Sequence, residues 1–500
     1  MKQNVQQRVN IHDRYQIEIK VEYQLLPSRK THYTITNYLF IPQTLGINST
    51  TYPTYEFYRR IQNYIRLRVP EFLPQALLTD SASPLCIIEA ILEENKWATS
   101  VTQKQRLTDQ FKFLRAIMRR SLSEALVQQQ RLARRRMPVA PLEIERQLQE
   151  HLAFVNTIVE RYRKCGQSFV LSQVDADLYE TFTLTDEALS LVVEENLLRV
   201  LRFIEKNTPA AWQEKLKAPI VAYIRAEIKY RRQHEYESIL SSSGKNEAYL
   251  YRVSALKKYT SSVLYLGTAV SREGVTAEHL LFSVAAGISM IFATMLAFFV
   301  QMYYGNLTFP VFIALVVGYM FKDRIKEVGR AISLRFLQQR YFDRRIDIHT
   351  LPEARKLGKM REKTFFCKAS DVPEYIRQAR NQGAVSMIDN GAQGEQVLCY
   401  TRNVTLFSQM FQKLYKDGPP ITGVADILRL DVRPFLHKMD NPFAQRLMLE
   451  GNELHTVKCA KVYFINIISV YSDGGIHNQV FSQRVRVTLN RKGLVRLETL

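Results

Sequence analysis

Asp175 and Asp177 stand two apart in the run VDADLYE. Paired carboxylates at that spacing can hold a divalent cation. In an acidic turn ahead of a helix the same pair caps the helix or faces water, and capping is the expected role. The nine histidines lie far apart, so no local metal motif forms; a site gathered from distant residues stays open. Cys86, Cys165, Cys367, Cys399 and Cys459 are odd in number and scattered, with no C-x-x-C. That excludes a zinc ribbon or a disulfide framework and fits a reducing compartment, with each thiol expected in a core. Gly391–Gly394, after Asp389-Asn390, reads as a loop. The chain has no phosphate-cradling G-x-x-x-x-G-K-[ST], no dinucleotide-binding G-x-G-x-x-G after a strand, no H-E-x-x-H and no nucleophile elbow. No cofactor or metal is therefore expected, and no residue takes a catalytic role from sequence.

Basic side chains are the other chemistry on offer. The net charge is +21, and the mean hydropathy is −0.19. Arg119, Arg120, Arg134, Arg135 and Arg136 crowd the stretch Val101–Met137, while Lys322, Arg324, Lys326 and Arg330 follow a long apolar run. Both groups are candidates for an anionic surface. Lipid headgroups are the expected partner, and nucleic acid or an acidic protein is the rival for the arginine cluster.

That apolar run is LLFSVAAGISMIFATMLAFFVQMYYGNLTFPVFIALVVGYMF, Leu280 to Phe321, without one Asp, Glu, Lys, Arg or His. A bilayer core takes about 20 apolar residues in a helix, so two short or tilted crossings fit. Gly305-Asn306 is a turn signal, and Pro310 suits the first turn of a second helix. The first helix is expected over about Leu280–Tyr303 and the second from about Phe309, continuing past Lys322 to about Ile348. Ser289, Ala293 and Ala297 share one face of the first, Ala314 and Gly318 one face of the second; small residues at this spacing let membrane helices pack closely or form an oligomer. The run lacks ionisable groups, so it offers no ion path of its own.

Lys and Arg flank the run on both sides and are missing from its turn, which puts both termini in the cytoplasm by the positive-inside rule. The N-terminus MKQNVQQRVNIHDRYQ has no apolar core of a signal peptide, so the hairpin is expected to direct its own insertion, most simply in a bacterial inner membrane. A buried helical hairpin in a soluble protein is the competing reading.

The elements around the run divide by period. Tyr15–Leu25 alternates as a half-buried strand, and Tyr33–Ile41 follows after Pro27–Lys30; an antiparallel hairpin of the two is expected. Tyr38 and Phe40 sit on the opposite face of the second strand and require cover. Tyr55–Arg68 reads as a helix with a basic face. Helices are expected at Pro84–Lys96, Val101–Met137, Pro141–Cys165, Asp186–Asn207 and Ala211 to about Leu240, with Thr185-Asp186-Glu187 as a helix start. Beyond Lys363 strands dominate: Thr456–Tyr471 as a covered central strand, then Phe481–Leu489 and Leu494–Leu497 about a turn, with short helices near Val372–Gln382 and Phe443–Leu449.

The expected fold class is a multidomain α+β membrane protein. It comprises an N-terminal β-hairpin and helix module (1–75), a mostly helical region (76–270), a two-helix transmembrane hairpin (280–321), a basic juxtamembrane helix (322–362) and a C-terminal β-rich α+β domain (363–500). The absence of a catalytic motif points to a non-enzymatic scaffold, adaptor or sensor at the membrane. A membrane-bound enzyme with a site assembled from distant residues, and an oligomeric channel or transporter subunit, are the alternatives.

Overall fold

A computed structural model of the chain describes residues 5–26, 30–94, 100–135, 141–170, 176–242, 244, 246–305, 308–351, 353–382, 394–473 and 480–500. The chain divides into two compact units. The first holds Met1–Ile65, Gly267–Ser408 and Asp426–Leu500; the second holds Arg66–Leu266 and Gln409–Ala425.

The first unit opens with β1 (Val5–Ile11), β2 (Gln16–Gln24), β3 (Lys30–Pro42), α1 (Thr54–Arg60) and β4 (Ile61–Leu67). The helices of the second follow: α2 (Pro74–Thr79), α3 (Pro84–Glu93), α4 (Val101–Arg135), α5 (Pro141–Cys165), α6 (Gln167–Val170), α7 (Ala176–Asn207), α8 (Ala210–Gln233) and α9 (Glu247–Ser261). The chain then returns through β5 (Gly267–Arg272) to the helical hairpin α10 (Val275–Tyr304) and α11 (Phe309–Arg340). After it come β6 (Arg344–His349), β7 (Lys356–Lys368), α12 (Glu374–Asn381), β8 (Glu395–Phe407), α13 (Ser408–Leu414), β9 (Gly423–Asp431) and α14 (Arg433–Leu436). The last strands are β10 (Phe443–Glu450), β11 (Glu453–Ala460), β12 (Tyr463–Asp473), β13 (Val480–Asn490) and β14 (Gly493–Thr499).

Eight strands form one sheet in the order β14-β13-β12-β3-β8-β7-β6-β5, with β3 antiparallel to both β12 and β8. A four-stranded sheet runs β1-β2-β9-β4. The cover that Tyr38 and Phe40 require comes from α12: Val372 and Ile376 pack on Phe40, Val397, Cys399 and Ile468. On the opposite face of β3, Tyr33 meets Tyr23 of β2 with ring centroids 5.2 Å apart. Alternation thus sends each β3 side chain to one of two different partners.

Several expectations change. β2 and β3 do not pair with each other; β2 pairs with β1 and β3 enters the larger sheet, because each strand has an apolar face that a two-stranded ribbon leaves bare. Tyr55–Arg68 is not one helix: α1 ends at Arg60, and Ile61–Leu67, with alternate burial, joins the smaller sheet beside β9. The short helix expected near Phe443–Leu449 is β10, paired with β11 in a separate ribbon. Thr456–Tyr471 is two strands that break at Lys461; β11 is exposed along its length, and only β12 is central. The helix after Lys322 ends at Arg340, and Arg344–His349 is strand. Thr185, Asp186 and Glu187 start nothing: α7 begins at Ala176 and they lie buried in its interior.

In the hairpin, α10 and α11 pack along small residues. Ala285 and Ser289 are buried on α10, and Gly318 on α11. A Cβ on Gly329 would stand 2.8 Å from the Cβ of Ala285, and one on Gly318 would stand 3.2 Å from Leu296 Cδ2. The outward faces are apolar and exposed, as at Met295, Phe298, Met302, Phe309, Phe312 and Met320. By length and composition α10 can cross a membrane: its most apolar window has mean hydropathy 2.1 and is 11% buried. Pro74–Glu93 meets the same measure at 1.2 and 39% buried. That stretch is two helices with a turn between them, and Leu77, Leu85 and Ile88 belong to the core of the helical unit.

Candidate functional site

The first unit contains a cavity of about 990 Å³ at the root of the hairpin, where α10 begins and α11 ends. Leu334 and Leu337 of α11, Phe57 of α1, Phe366 of β7 and Leu398 of β8 are among its apolar lining. Volumes of about 300–1,000 Å³ are typical of small-molecule sites. Gly274 precedes α10 with φ +81°, and a Cβ there would meet the Tyr341 ring at 3.2 Å. Glycine therefore permits the left-handed turn and the close approach that bring the two helix roots together around the cavity.

The strand register carries one face of the sheet out of the cavity and into a buried polar network. Leu398, Tyr400 and Arg402 of β8 stand opposite Phe366, Thr364 and Glu362 of β7. The apolar end of this row, Phe366 and Leu398, lines the cavity. At the other end Tyr400 donates its hydroxyl to Glu362 Oε1 at 2.5 Å, and Arg344 Nε donates to Glu362 Oε2. The Arg344 guanidinium lies 4.1 Å from the centroid of Tyr58, whose hydroxyl donates to Asp343 Oδ2 at 2.9 Å. The Thr364 N–H reaches the same oxygen at 2.8 Å. Arg402 Nη1 donates to Asp426 Oδ2, which also accepts the Tyr23 hydroxyl at 3.2 Å.

Burial sets the protonation of these groups. It pushes the Tyr58, Tyr400 and Tyr23 phenols above their ordinary value, with neighbouring carboxylates adding to the shift at each. All three stay neutral donors. Burial also raises Asp426 to about 6, although Arg402 pulls it down. The lining includes Arg272, Arg344 and Lys363 and, of opposite sign, Glu273, Glu278 and Asp343. Arg272 pairs with Glu278 at 2.8 Å, and Arg361 Nε donates to Glu273 at 2.7 Å. Among the described residues the lining holds no His and no Cys.

The residues singled out from sequence lie elsewhere. Arg119 is 3.8 Å from Glu195; Arg120 donates to Val69 O at 2.6 Å, to Glu71 at 2.5 Å and to Glu124 at 2.7 Å, all within the helical unit. Arg134 and Arg135 end α4, and Arg136 lies outside the described residues. Lys322 covers Tyr319 at 4.3 Å, Arg324 meets Glu327 at 3.2 Å, Arg330 lies 5.4 Å from the Phe282 ring, and Lys326 is half-buried on α11. Ser289 and Gly318 are buried between α10 and α11, with Ala293, Ala297 and Ala314 half-buried. Asp175 and Gly391–Gln393 lie outside the described residues, while Asp177 is in the first turn of α7.

The helical unit has a charge cluster of its own. Arg163 of α5 donates to Glu227 of α8 at 3.1 and 2.9 Å and to Asp186 of α7 at 3.1 Å, and its guanidinium stacks 3.4 Å from the Tyr230 centroid. Arg231 reaches Glu194, and Arg252 reaches Glu187. Each buried acid thus faces an arginine, which favours a structural role. No group of three or more His, Cys, Asp or Glu among the described residues is placed to hold a metal ion. Two scattered cysteines do meet: Cys367 and Cys399 have sulfurs 3.1 Å apart on β7 and β8, both free thiols.

Reading the sequence missed Tyr58, Asp343, Glu362, Tyr400, Arg402 and Asp426. A signal was present for two of them: Arg402 closely follows the apolar run VLCY, and Asp426 stands between Val424-Ala425 and Ile427-Leu428. In comparison with known proteins, the chain matches no family model, no curated protein and no solved structure.

Proposed function

We propose that this is a two-pass membrane protein whose soluble units both lie on the cytoplasmic side, acting without catalysis as a tethered scaffold, adaptor or sensor. The observation that carries the reading is the exposed apolar surface of the hairpin, which includes Met295, Phe298, Met302, Phe309, Phe312 and Met320. A soluble monomer rarely leaves so large an apolar patch in water, whereas a bilayer covers it. Lys322, Arg324, Lys326 and Arg330 supply the inward charge. The paired acids and the absence of His or Cys at the cavity favour binding over chemistry.

The hairpin's own levels favour a second reading. Contacts of Gly329 with Ala285 and Gly318 with Leu296 set Lys322 beside the residues near Ile291. From Phe309 to Phe321 the apolar part of α11 runs about 20 Å at 1.5 Å per residue, against about 30 Å for a hydrocarbon core. Snorkelling of Lys322 and local thinning accommodate a crossing. A hairpin that enters from one side and stops within the bilayer meets the same lengths without them.

Gly305→Cys at the turn separates the two. With the native cysteines replaced, labelling of intact cells by an impermeant maleimide is expected for a crossing; no labelling of the turn either before or after permeabilisation supports the one-sided hairpin. Retention in the membrane at alkaline pH is expected in either case, and release there overturns membrane insertion. A reporter at Leu500 is expected to be active inside the cytoplasm; activity only outside overturns the orientation.

A further inference from the structure

We propose that β10 is a dimerisation edge, pairing antiparallel with β10 of a second copy of this chain about a twofold axis at Met448. The inference goes beyond the membrane reading and does not need it. Three observations carry it.

The first is a bare ribbon. β10 and β11 form a sheet of their own, paired from Phe443 and Ala460 to Glu450 and Glu453 without a register break and exposed along nearly its whole length. A two-stranded ribbon alone is marginal in water, and further strands stabilise it. Its root is covered, with Lys458 and Lys492 over the Phe443 ring at 4.3 and 5.1 Å. Beyond the root, Leu447, Leu449 and Leu454 share one face and are 74%, 67% and 68% exposed.

The second is an open edge. β10 pairs with β11 alone, and Glu450 and Glu453 close a two-residue turn at Gly451-Asn452. Hydrogen-bonded and non-bonded pairs alternate from such a turn, so Leu447 and Leu449 direct their N–H and C=O away from β11. β10 has no proline, no lysine and no bulge to blunt that edge.

The third is charge, and it names the occupant. Arg446-Leu447-Met448-Leu449-Glu450 is its own complement when reversed. With Met448 opposite the partner's Met448, Arg446 stands opposite the partner's Glu450 and Leu447 opposite the partner's Leu449, and symmetry repeats both pairs. Neither Arg446 nor Glu450 has an ion pair among the described residues. Within the ribbon Glu450 faces Glu453, a like-charge pair that an arriving arginine relieves. β11 offers no such match, because Glu453 and Lys458 lie on opposite faces of the ribbon. The product is a four-stranded antiparallel sheet, β11-β10-β10-β11, with the leucines of both copies side by side on one face.

The test uses the full chain in mild detergent, its mass read by sedimentation equilibrium. A dimer is expected. Arg446→Glu sets like charges across the axis and is expected to weaken the dimer about tenfold; adding Glu450→Arg is expected to restore it to within about threefold. If Arg446→Glu fails to fold, Glu450→Arg alone, which sets arginines across the axis, takes its place. In a Cys459→Ser background, Met448→Cys is expected to give a disulfide-linked dimer on air oxidation. Arg446→Cys in that background is expected to give none, since its copies lie about 14 Å apart along the strands. A monomeric wild type, a dimer indifferent to the charge variants, a double variant no tighter than Arg446→Glu, or equal cross-linking at the two cysteine positions each overturns the proposal. A dimer held by α10 and α11 instead would show itself by that indifference.

Discussion

Arg402 of β8 and Asp426 of β9 form an ion pair with no solvent exposure at either end, joining the eight-stranded sheet to the four-stranded one. Zero exposure of both side chains places the pair where the two sheets exclude water. Glu362, Tyr400 and Tyr23 surround it and extend it towards the hairpin root.

Arg402→Met strands Asp426 in the interior without its counter-charge. Near pH 7 the loss of stability is expected at about 3–5 kcal/mol, the range for a broken buried pair. Asp426 already titrates near 6, raised by burial, and removing Arg402 raises it further. An acid whose folded pKa lies above its unfolded value holds more protons when folded, so the penalty is present above the folded pKa and relieved as pH falls through it. The variant should therefore recover part of its deficit between pH 8 and 5. Arg402→Met with Asp426→Leu should cost less than Arg402→Met alone at pH 7. Thermal unfolding across pH checks both; a pH-independent deficit counts against a stranded carboxylate.

Glu227→Gln should cost the helical unit about 3 kcal/mol. The carboxylate accepts two bonds from Arg163 and one from Ser190 Oγ at 2.6 Å, and an amide presents N–H groups to one of these donors. Arg163→Lys keeps the charge but loses the fork and the stacking on Tyr230, and should cost about 1–3 kcal/mol. Denaturant unfolding of the full chain is the measurement. A loss below about 0.5 kcal/mol for Glu227→Gln, the scale of an ordinary surface substitution, would contradict the buried role.

His151 gives the helical unit a pH dependence of opposite sign. Burial holds its imidazole below 6.5, and the hydrogen bond from Nε2 to Asn196 Oδ1 at 2.7 Å offsets only part of that. A base with a depressed folded pKa binds fewer protons when folded, so stability rises with pH through the window that ends near 6.5. Wild-type protein should lose thermal stability on acidification through that window, and His151→Gln should flatten the slope. Parallel slopes would refute it.

Gly329 sets the spacing of the hairpin. With Ala285 Cβ only 2.8 Å from where its own Cβ would stand, Gly329→Ala forces α10 and α11 apart and should destabilise by about 1–3 kcal/mol. Ala285→Gly in the same chain should restore much of the loss, a coupling a double-mutant cycle reads directly. Gly318→Ala should be milder, since its neighbour is the tip of the flexible Leu296 side chain. Additive effects of Gly329→Ala and Ala285→Gly would show that the helices do not meet there.

Local pattern by itself determined much of this protein. The uncharged run after Leu280 marked the two helices, since the turn signal at Gly305 leaves a helical length of apolar residues on either side. Period-2 alternation located β2, β3 and β13, and α5 and α12 followed from apolar spacing and flanking prolines. Pairing was not in the local pattern. An apolar strand face states that cover is needed but not which strand supplies it, so β3 went to β12 and β8, nearly the whole chain apart in sequence, instead of to β2. Burial of charge was equally hidden. Asp186 and Glu187 look like a helix start because acids near Thr suit a cap, and only the arrival of Arg163 and Arg252 from other helices makes their place in the interior of α7 tolerable. The cavity and the Arg402–Asp426 pair were decided at the tertiary level for the same reason: their partners come from distant segments, and a side chain's cost in the interior depends on a partner that its neighbours in sequence do not reveal.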